Sequence, residues 1–289
     1  MRKKLSTLLL LLVTLTATAQ PSRVIESLTI ESKILGMDKH VAIYLPEGYD
    51  RSDRAYPVLY LLHGSGDNHT GWIQFGRVQQ IADKAYRNET ATQMIIVMPD
   101  AMEPDGDLSK RGYFNHISGT HNYETYFFEE LIPYVEQHYR TRPEKRFRAI
   151  AGLSMGGGGT LVYALHHPEL FAAACPLSAA VHDMSGELPE RMIAKGNYPK
   201  STSNEWIAQY DILGMAAEKP EAELKSVRWY IDCGDGDFLS EGNAMLQLEL
   251  IRRKIPHEFR VRDGAHTWTY WRTALPEVLR FVSESFQQP

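Results

Sequence analysis

Apolar residues recur along this chain in two rhythms. Short runs, apolar at successive or alternate positions, cover residues 27–34, 40–45, 57–62, 93–98, 147–152, 171–177, 227–233 and 257–262, and each predicts a strand. Between most of them lie longer stretches with helical spacing, at 76–88, 123–138, 155–166, 241–254 and 268–286. In "YETYFFEELIPYVEQHY", Phe127, Leu131, Tyr134, Val135 and His138 recur near a 3.6-residue period, with Glu129, Glu130 and Glu136 elsewhere on the helix. Pro133 has no N–H to donate and predicts a kink there.

Two strands followed by strand–helix alternation predict an α/β architecture, a mostly parallel central sheet of about eight strands flanked by helices on both faces. The runs "PVLYLLHG", "MIIVMPD" and "RAIAGLS" are apolar on both alternation phases, as central strands buried on both sides must be. Residues 182–226 break the rhythm with helical fragments and no strand. They predict a cap-like insertion between the sixth and seventh strands of a single domain spanning 20–289, overhanging the C-terminal edge of the sheet.

The first residues stand apart. In "MRKKLSTLLLLLVTLTATAQ", a positive start precedes a short apolar stretch and an Ala17-Thr18-Ala19 cleavage pattern. Residues 1–19 therefore read as a signal peptide, with Gln20 opening the mature chain. The apolar stretch is too short to span a bilayer, and no cysteine stands at the cleavage site to carry a lipid anchor. The expectation is a bacterial protein, periplasmic or secreted, with no membrane insertion after cleavage. A net charge of −5 without a long basic block gives no support to nucleic-acid binding or polybasic membrane docking. Hydrophobic content of 43% and charged content of 23% fit an ordinary globular chain. Cys175 and Cys233 both sit in apolar runs and read as packed free thiols, although export permits a disulfide.

The stretch "AIAGLSMGGGGT" carries the candidate chemistry. Gly152-Leu153-Ser154-Met155-Gly156 is a G-x-S-x-G pentapeptide placed between a predicted strand and a predicted helix. In that context the serine sits on a tight, strained turn with its hydroxyl thrust clear of the backbone. Flanking glycines remove Cβ atoms that would strike neighbouring segments, and the helix N-terminus aims N–H groups at the reaction centre. A phosphate-binding loop is excluded by the lack of G-K-[ST].

A nucleophilic serine needs a base and the base needs an acid, in chain order Ser, acid, His for this architecture. Of the histidines after Ser154 and its helix, His257 opens a strand and His182 follows the sixth strand. His266 lies in a Gly-containing loop past the last strand, in "RVRDGAHTWTYW", where an imidazole can reach Ser154. "WYIDCGDGDFL" offers the acid. Asp237 is favoured because Gly234 and Gly236 free its loop, with Asp235 next and Asp183 third. The oxyanion donors fall to the N–H of Met155 and to Ser65 or Gly66 in "LLHGSGDNHTGW", the loop after the third strand.

With these residues assembled, the chain resembles carbohydrate esterase family 1 and the wider esterase D group of α/β-hydrolases, over nearly all of residues 25–287. The markers are "VAIYLPEGYD", "YPVLYLLHGSGDNHTGW", "YFFEELIPYVEQHYRT", "AIAGLSMGGGGTLVYALHHPELFAAACPLSAA", "DCGDGDFL" and "GAHTWTYWR". The resemblance implies an α/β-hydrolase fold, a Ser154–Asp237–His266 triad, oxyanion donors at Ser65 and Met155, and no metal or cofactor. It matches Asp237 to the acid of a C-G-x-x-D turn. It implies an exported serine esterase acting on ester-decorated oligo- or polysaccharide, feruloyl-type esters being preferred over acetyl-xylan. An acyltransferase or a non-catalytic carbohydrate-binding homologue is the alternative of another class. Trp72, Tyr113, Phe114 and Trp268 are expected near the site to stack on a phenolic group or sugar rings, while Trp271 reads as buried. His116, His121, His166 and His167 show no metal-ligand spacing.

Overall fold

In the computed structural model, residues 20–102, 112–182 and 199–287 are described. The predicted signal peptide at 1–19 and Asp183 lie outside them. Eight strands form one sheet in the order β1–β2–β4–β3–β5–β6–β7–β8. They are β1 (Arg23–Ser32), β2 (Met37–Leu45), β3 (Val58–Leu62), β4 (Ile95–Pro99), β5 (Arg148–Leu153), β6 (Ala173–Leu177), β7 (Arg228–Gly234) and β8 (His257–Arg262). β2 runs antiparallel to both its neighbours, and every pair from β4 to β8 is parallel. This is the α/β-hydrolase arrangement.

The central strands bury both faces, which explains their unbroken apolar runs. In β3, Val58, Tyr60 and Leu62 join one core, while Leu59 and Leu61 join the other. The first core is closed by α3 (Tyr123–Tyr126), a π turn (Phe127–Leu131), α4 (Ile132–His138) and α5 (Met155–His166). The second is closed by α2 (Val78–Arg87), which follows the short α1 (Gly71–Gln74), and by the C-terminal helix Trp268–Gln287. Pro133 stands at the start of α4, directly after the π turn. The irregularity it was expected to cause therefore takes the form of a widened turn just before it.

β1 begins at Arg23, earlier than the expected 27, because its register against β2 shifts between Ile25 and Leu28. A bulge breaks the two-residue alternation, so the pattern hid the first residues. The chain runs from β3 outward to β4 and returns to β5 on β3's other side. The loops leaving β3 and β5 thus diverge, and a crevice opens at the C-terminal ends of these strands.

The described part of the insertion, between β6 and β7, is helical: α6 (Lys200–Tyr210), α7 (Ile212–Glu218) and α8 (Glu221–Lys225). One buried polar network fastens α6 to the body. The Trp206 indole donates to the Asn115 carbonyl (2.8 Å), and the Tyr210 hydroxyl donates to Glu124 Oε2 (2.8 Å) while accepting the Asn115 N–H (3.0 Å). His166, at the end of α5, faces Glu124 Oε1 through Nδ1 (2.5 Å) and the Gln209 carbonyl through Nε2 (2.8 Å). Both partners only accept, so only the doubly protonated imidazolium satisfies both. Burial works against that charge and Lys219 opposes it, but Glu124 and the Gln209 carbonyl outweigh them and raise the His166 pKa.

A raised folded-state pKa stabilises the fold fully below the ordinary imidazole range, and the contribution fades as pH rises through the folded value. His166→Asn should therefore lower stability by about 1.5–3 kcal/mol in mild acid, with a smaller deficit in mild alkali. Thermal melts of both proteins from pH 5.5 to 8.5 check this. A deficit that stays flat or grows with pH would contradict the imidazolium.

Candidate active site

β5 delivers its last residue directly to Ser154, and α5 starts at the next position. Ser154 has φ 56° and ψ −116°, a conformation that L-residues avoid because Cβ crowds the backbone. Three hydrogen bonds hold it there. Its N–H donates to the Leu177 carbonyl (2.9 Å), and its own carbonyl accepts from Gly158 (3.0 Å) and Ala180 (2.9 Å).

The flanking glycines are close approaches of backbone to backbone. A Cβ on Gly152 would lie 2.4 Å from the Gly156 carbonyl oxygen, and one on Gly156 would lie 2.6 Å from that of His63. β3, β5 and the first turn of α5 thus converge at distances no side chain permits. Of the following glycines, Gly157 abuts Ala179 beyond β6, and Gly159 abuts the Tyr113 ring.

The three side chains singled out in the sequence meet at this edge of the sheet. His266 Nε2 is 2.9 Å from Ser154 Oγ, and His266 Nδ1 is 2.9 Å from Asp237 Oδ2 and 3.0 Å from Oδ1. Asp237 is buried, and the Leu239 N–H also donates to it (2.9 Å). Burial would raise the Asp237 pKa, but the hydrogen bonds from His266 and Leu239 outweigh it and hold the carboxyl below its ordinary range. An ionised carboxylate only accepts, so Nδ1 carries the imidazole proton. Nε2 is then left with its lone pair toward the serine hydroxyl, which donates to it.

The other aspartates have different partners. Asp235 accepts the Gly264 N–H (3.1 Å), while the Asp235 and Gly236 N–H groups donate to Arg262 (3.0 Å) and Gly264 (2.9 Å) carbonyls. Asp235 thus stitches the acid loop to the histidine loop. Gly234 is obligatory in this seam, since a Cβ there would lie 2.3 Å from the Gly264 carbonyl oxygen. Asp232 is fully buried in β7 and accepts from the Tyr230 hydroxyl (2.7 Å), the Tyr270 hydroxyl (2.5 Å) and Arg262. His257 is bonded locally, its Nδ1 2.8 Å from the Ile255 carbonyl.

Two N–H groups flank the serine. Met155 opens α5, so its N–H has no acceptor within the helix. On the other side, Gly64 presses so closely that a Cβ on it would lie 3.4 Å from Ser154 Cβ. Next to it, Ser65 is exposed, and its N–H meets no acceptor among the described residues.

The aromatic expectations need correction. Trp72 is 1% exposed, with its indole donating to the Leu62 carbonyl (3.0 Å), and Tyr113 is also 1% exposed. Neither presents a face to substrate; both sit in the core beneath the loop after β3. Phe114 is half-buried and stacked on Tyr210, with ring centroids 4.6 Å apart. Trp268 is half-buried among Trp72, Trp271 and the exposed Phe75. Trp271 is buried as expected and stands edge-on to the His266 ring at 4.9 Å.

The aromatic residue that sequence reasoning missed is Phe238. It is 75% exposed, and its ring lies 4.5 Å from that of His266. Its signal was there to read: a large apolar residue in a turn of Gly and Asp, directly after the favoured acid. Among the described residues, no group of three His, Cys, Asp or Glu side chains is placed to hold a metal, and no helix is long and apolar enough to cross a membrane.

The chain is similar to known proteins over most of its length. Residues 32–282 match the profile of the Esterase family, described as "Putative esterase". An endo-1,4-beta-xylanase/feruloyl esterase of Xylanibacter ruminicola is 30% identical over 240 residues, 81% of this chain. The chain spans about three tenths of that relative's length, 29%. An acetyl esterase of Caldicellulosiruptor saccharolyticus is 25% identical, the match covering 88% of this chain and 96% of the relative. A solved ferulic acid esterase superposes with a TM-score of 0.80 at 35% identity, covering 92% of this chain and 99% of the other. Its fold, its serine turn and a profile match over most of its length place the chain in the Esterase family.

Proposed function

We propose that this chain is a serine carboxylesterase that hydrolyses feruloyl-type esters on plant cell-wall polysaccharide, and that residues 1–19 export it to the periplasm or medium. The observation that carries the catalytic part is the continuous hydrogen-bonded line from Ser154 through His266 to Asp237. The reaction follows from that line. His266 Nε2 takes the Ser154 proton as Oγ attacks the ester carbonyl. The imidazolium that forms is stabilised by Asp237. The carbonyl oxygen becomes an oxyanion between the N–H groups of Met155 and Ser65, at the positive end of α5. His266 then protonates the departing alcohol. In the second half, water gives a proton to His266 as it attacks the acyl-enzyme, and His266 returns that proton to Ser154 Oγ as the acid departs.

The preference for an aromatic acyl or sugar-borne ester rests on two supports. One similar solved structure is that of a ferulic acid esterase, and the Xylanibacter relative is an endo-1,4-beta-xylanase/feruloyl esterase. In this chain, exposed Phe238 neighbours the imidazole, and Trp271 links that ring to half-buried Trp268 and exposed Phe75. Flat apolar faces suit flat or ring-shaped groups.

Ser154→Ala should reduce p-nitrophenyl acetate turnover by at least about 10³-fold. Undiminished turnover would remove Ser154 from its role. Asp237→Asn should lower kcat roughly 10³–10⁴-fold by permitting the wrong imidazole tautomer. Asp235→Ala, which removes one loop hydrogen bond, should stay within about tenfold of wild type. The reverse ranking in steady-state kinetics would make Asp235 the acid. Methyl ferulate should be hydrolysed with a higher kcat/KM than acetylated xylan. The opposite preference would assign an acetyl esterase, and failure on both with p-nitrophenyl acetate turnover intact would overturn the polysaccharide assignment alone.

A further inference from the structure

We propose that Tyr113 is a positioning residue that sets the spacing between the two oxyanion donors. The inference rests on the serine esterase reading and deepens it. The loop after β3 turns at Ser65 and Gly66, closed by the Asp67 N–H on the Gly64 carbonyl (3.2 Å), with Gly66 at φ 83°. The Ser65 N–H must nonetheless stay in place, although it meets no acceptor among the described residues. An oxyanion donor is effective only when its position is held to a fraction of an ångström before the charge forms. Something other than Ser65 must therefore hold the loop, and the held residue is His63.

The Tyr113 hydroxyl accepts the His63 N–H (2.8 Å) and donates to the His63 carbonyl (3.2 Å), so one phenol grips both polar groups of one residue. The His63 ring completes the anchorage. Its Nε2 accepts the Ala101 N–H (2.9 Å), which fixes the proton on Nδ1, and Nδ1–H donates to the Gly64 carbonyl (2.8 Å). Ser65 follows directly. A neutral phenol is needed to accept and donate at once, and burial pushes the Tyr113 pKa well above its ordinary value.

Tyr113 is itself held from the other side. Its ring packs so tightly on Gly159 that a Cβ there would lie 2.8 Å from Tyr113 Cβ and Cγ. Gly159 belongs to α5, whose first N–H is that of Met155. The Tyr113 carbonyl accepts the Tyr163 hydroxyl from the same helix (2.6 Å). The ring thus stands between the helix that carries one donor and the loop that carries the other. Two residues on, Asn115 is gripped by Trp206 and Tyr210 of α6, so the insertion braces the same segment.

The test is Tyr113→Phe, which keeps the ring and removes the grip on His63. With p-nitrophenyl acetate, kcat should fall roughly 10- to 100-fold with KM within about twofold. Affinity for phenylboronic acid, whose serine adduct is tetrahedral and anionic, should weaken by the same factor as kcat/KM. Product inhibition by ferulate should not change. A residue that only supports the fold would lower the melting temperature and leave kcat and boronate affinity at wild-type values, and that result overturns the proposal. Gly159→Ala, which pushes the ring from the α5 side, should give the same paired loss, and it decides the question if Tyr113→Phe does not fold. Ser154→Ala is measured alongside. If it remains active, the esterase reading fails; if it is inactive while both ring variants match wild type, only the role of Tyr113 fails.

Discussion

Ser154 occupies a backbone conformation that its own side chain disfavours, and the surrounding structure exists in the form needed to enforce it. Such a conformation costs on the order of 1–3 kcal/mol and persists only where neighbours over-determine it. Here they do. β6 takes the serine N–H, the first turn of α5 and the segment after β6 take its carbonyl, and β3 closes from the other side against Gly152 and Gly156. The parallel sheet brings these backbones to one edge in the required order, and the tight approach dictates glycine at both flanks. The strain pushes the hydroxyl out of the backbone's own hydrogen bonding and toward the imidazole.

A second constraint is electrostatic. The direction of the hydrogen bond between Ser154 and His266 depends on which imidazole nitrogen bears the proton, and that is decided by a buried carboxylate. Asp237 stays ionised because the hydrogen bonds it accepts outweigh the cost of its burial. The seam of backbone bonds between residues 234–237 and 262–266 keeps acid and imidazole in register. Asp232, nearby and more deeply buried, is satisfied by two tyrosines and Arg262 and turned away from this work. Three aspartates in one short stretch therefore have three settings, fixed by where each can find donors.

Much of this was legible in the sequence, for identifiable reasons. Central strands must be apolar on both faces, so β3, β4 and β5 announced themselves, whereas the bulge in β1 disrupted the only signal that strand had. The serine turn was legible because its glycines answer to a steric demand, and His266 because of its place in a loop past the last strand. The roles of the aromatics were not. A tryptophan in a loop next to the site can face the crevice or the core, and nothing in its immediate neighbours distinguishes the two; Trp72 and Tyr113 turned inward, where their polar atoms found backbone partners. The imidazolium of His166 was hidden for the same reason. Its two acceptors, Glu124 and Gln209, are 42 and 43 residues away, and only the folded chain brings them together.

The central claim is that one hydroxyl in this chain is made nucleophilic by its surroundings. Its most direct test is site mapping of a covalent probe. The purified protein is incubated with a fluorophosphonate, digested, and the adduct located by tandem mass spectrometry. The account predicts stoichiometric labelling at Ser154 that disappears in Asp237→Ala and His266→Ala. Labelling at another serine, or labelling of Ser154 that survives both substitutions at the wild-type rate, would contradict it.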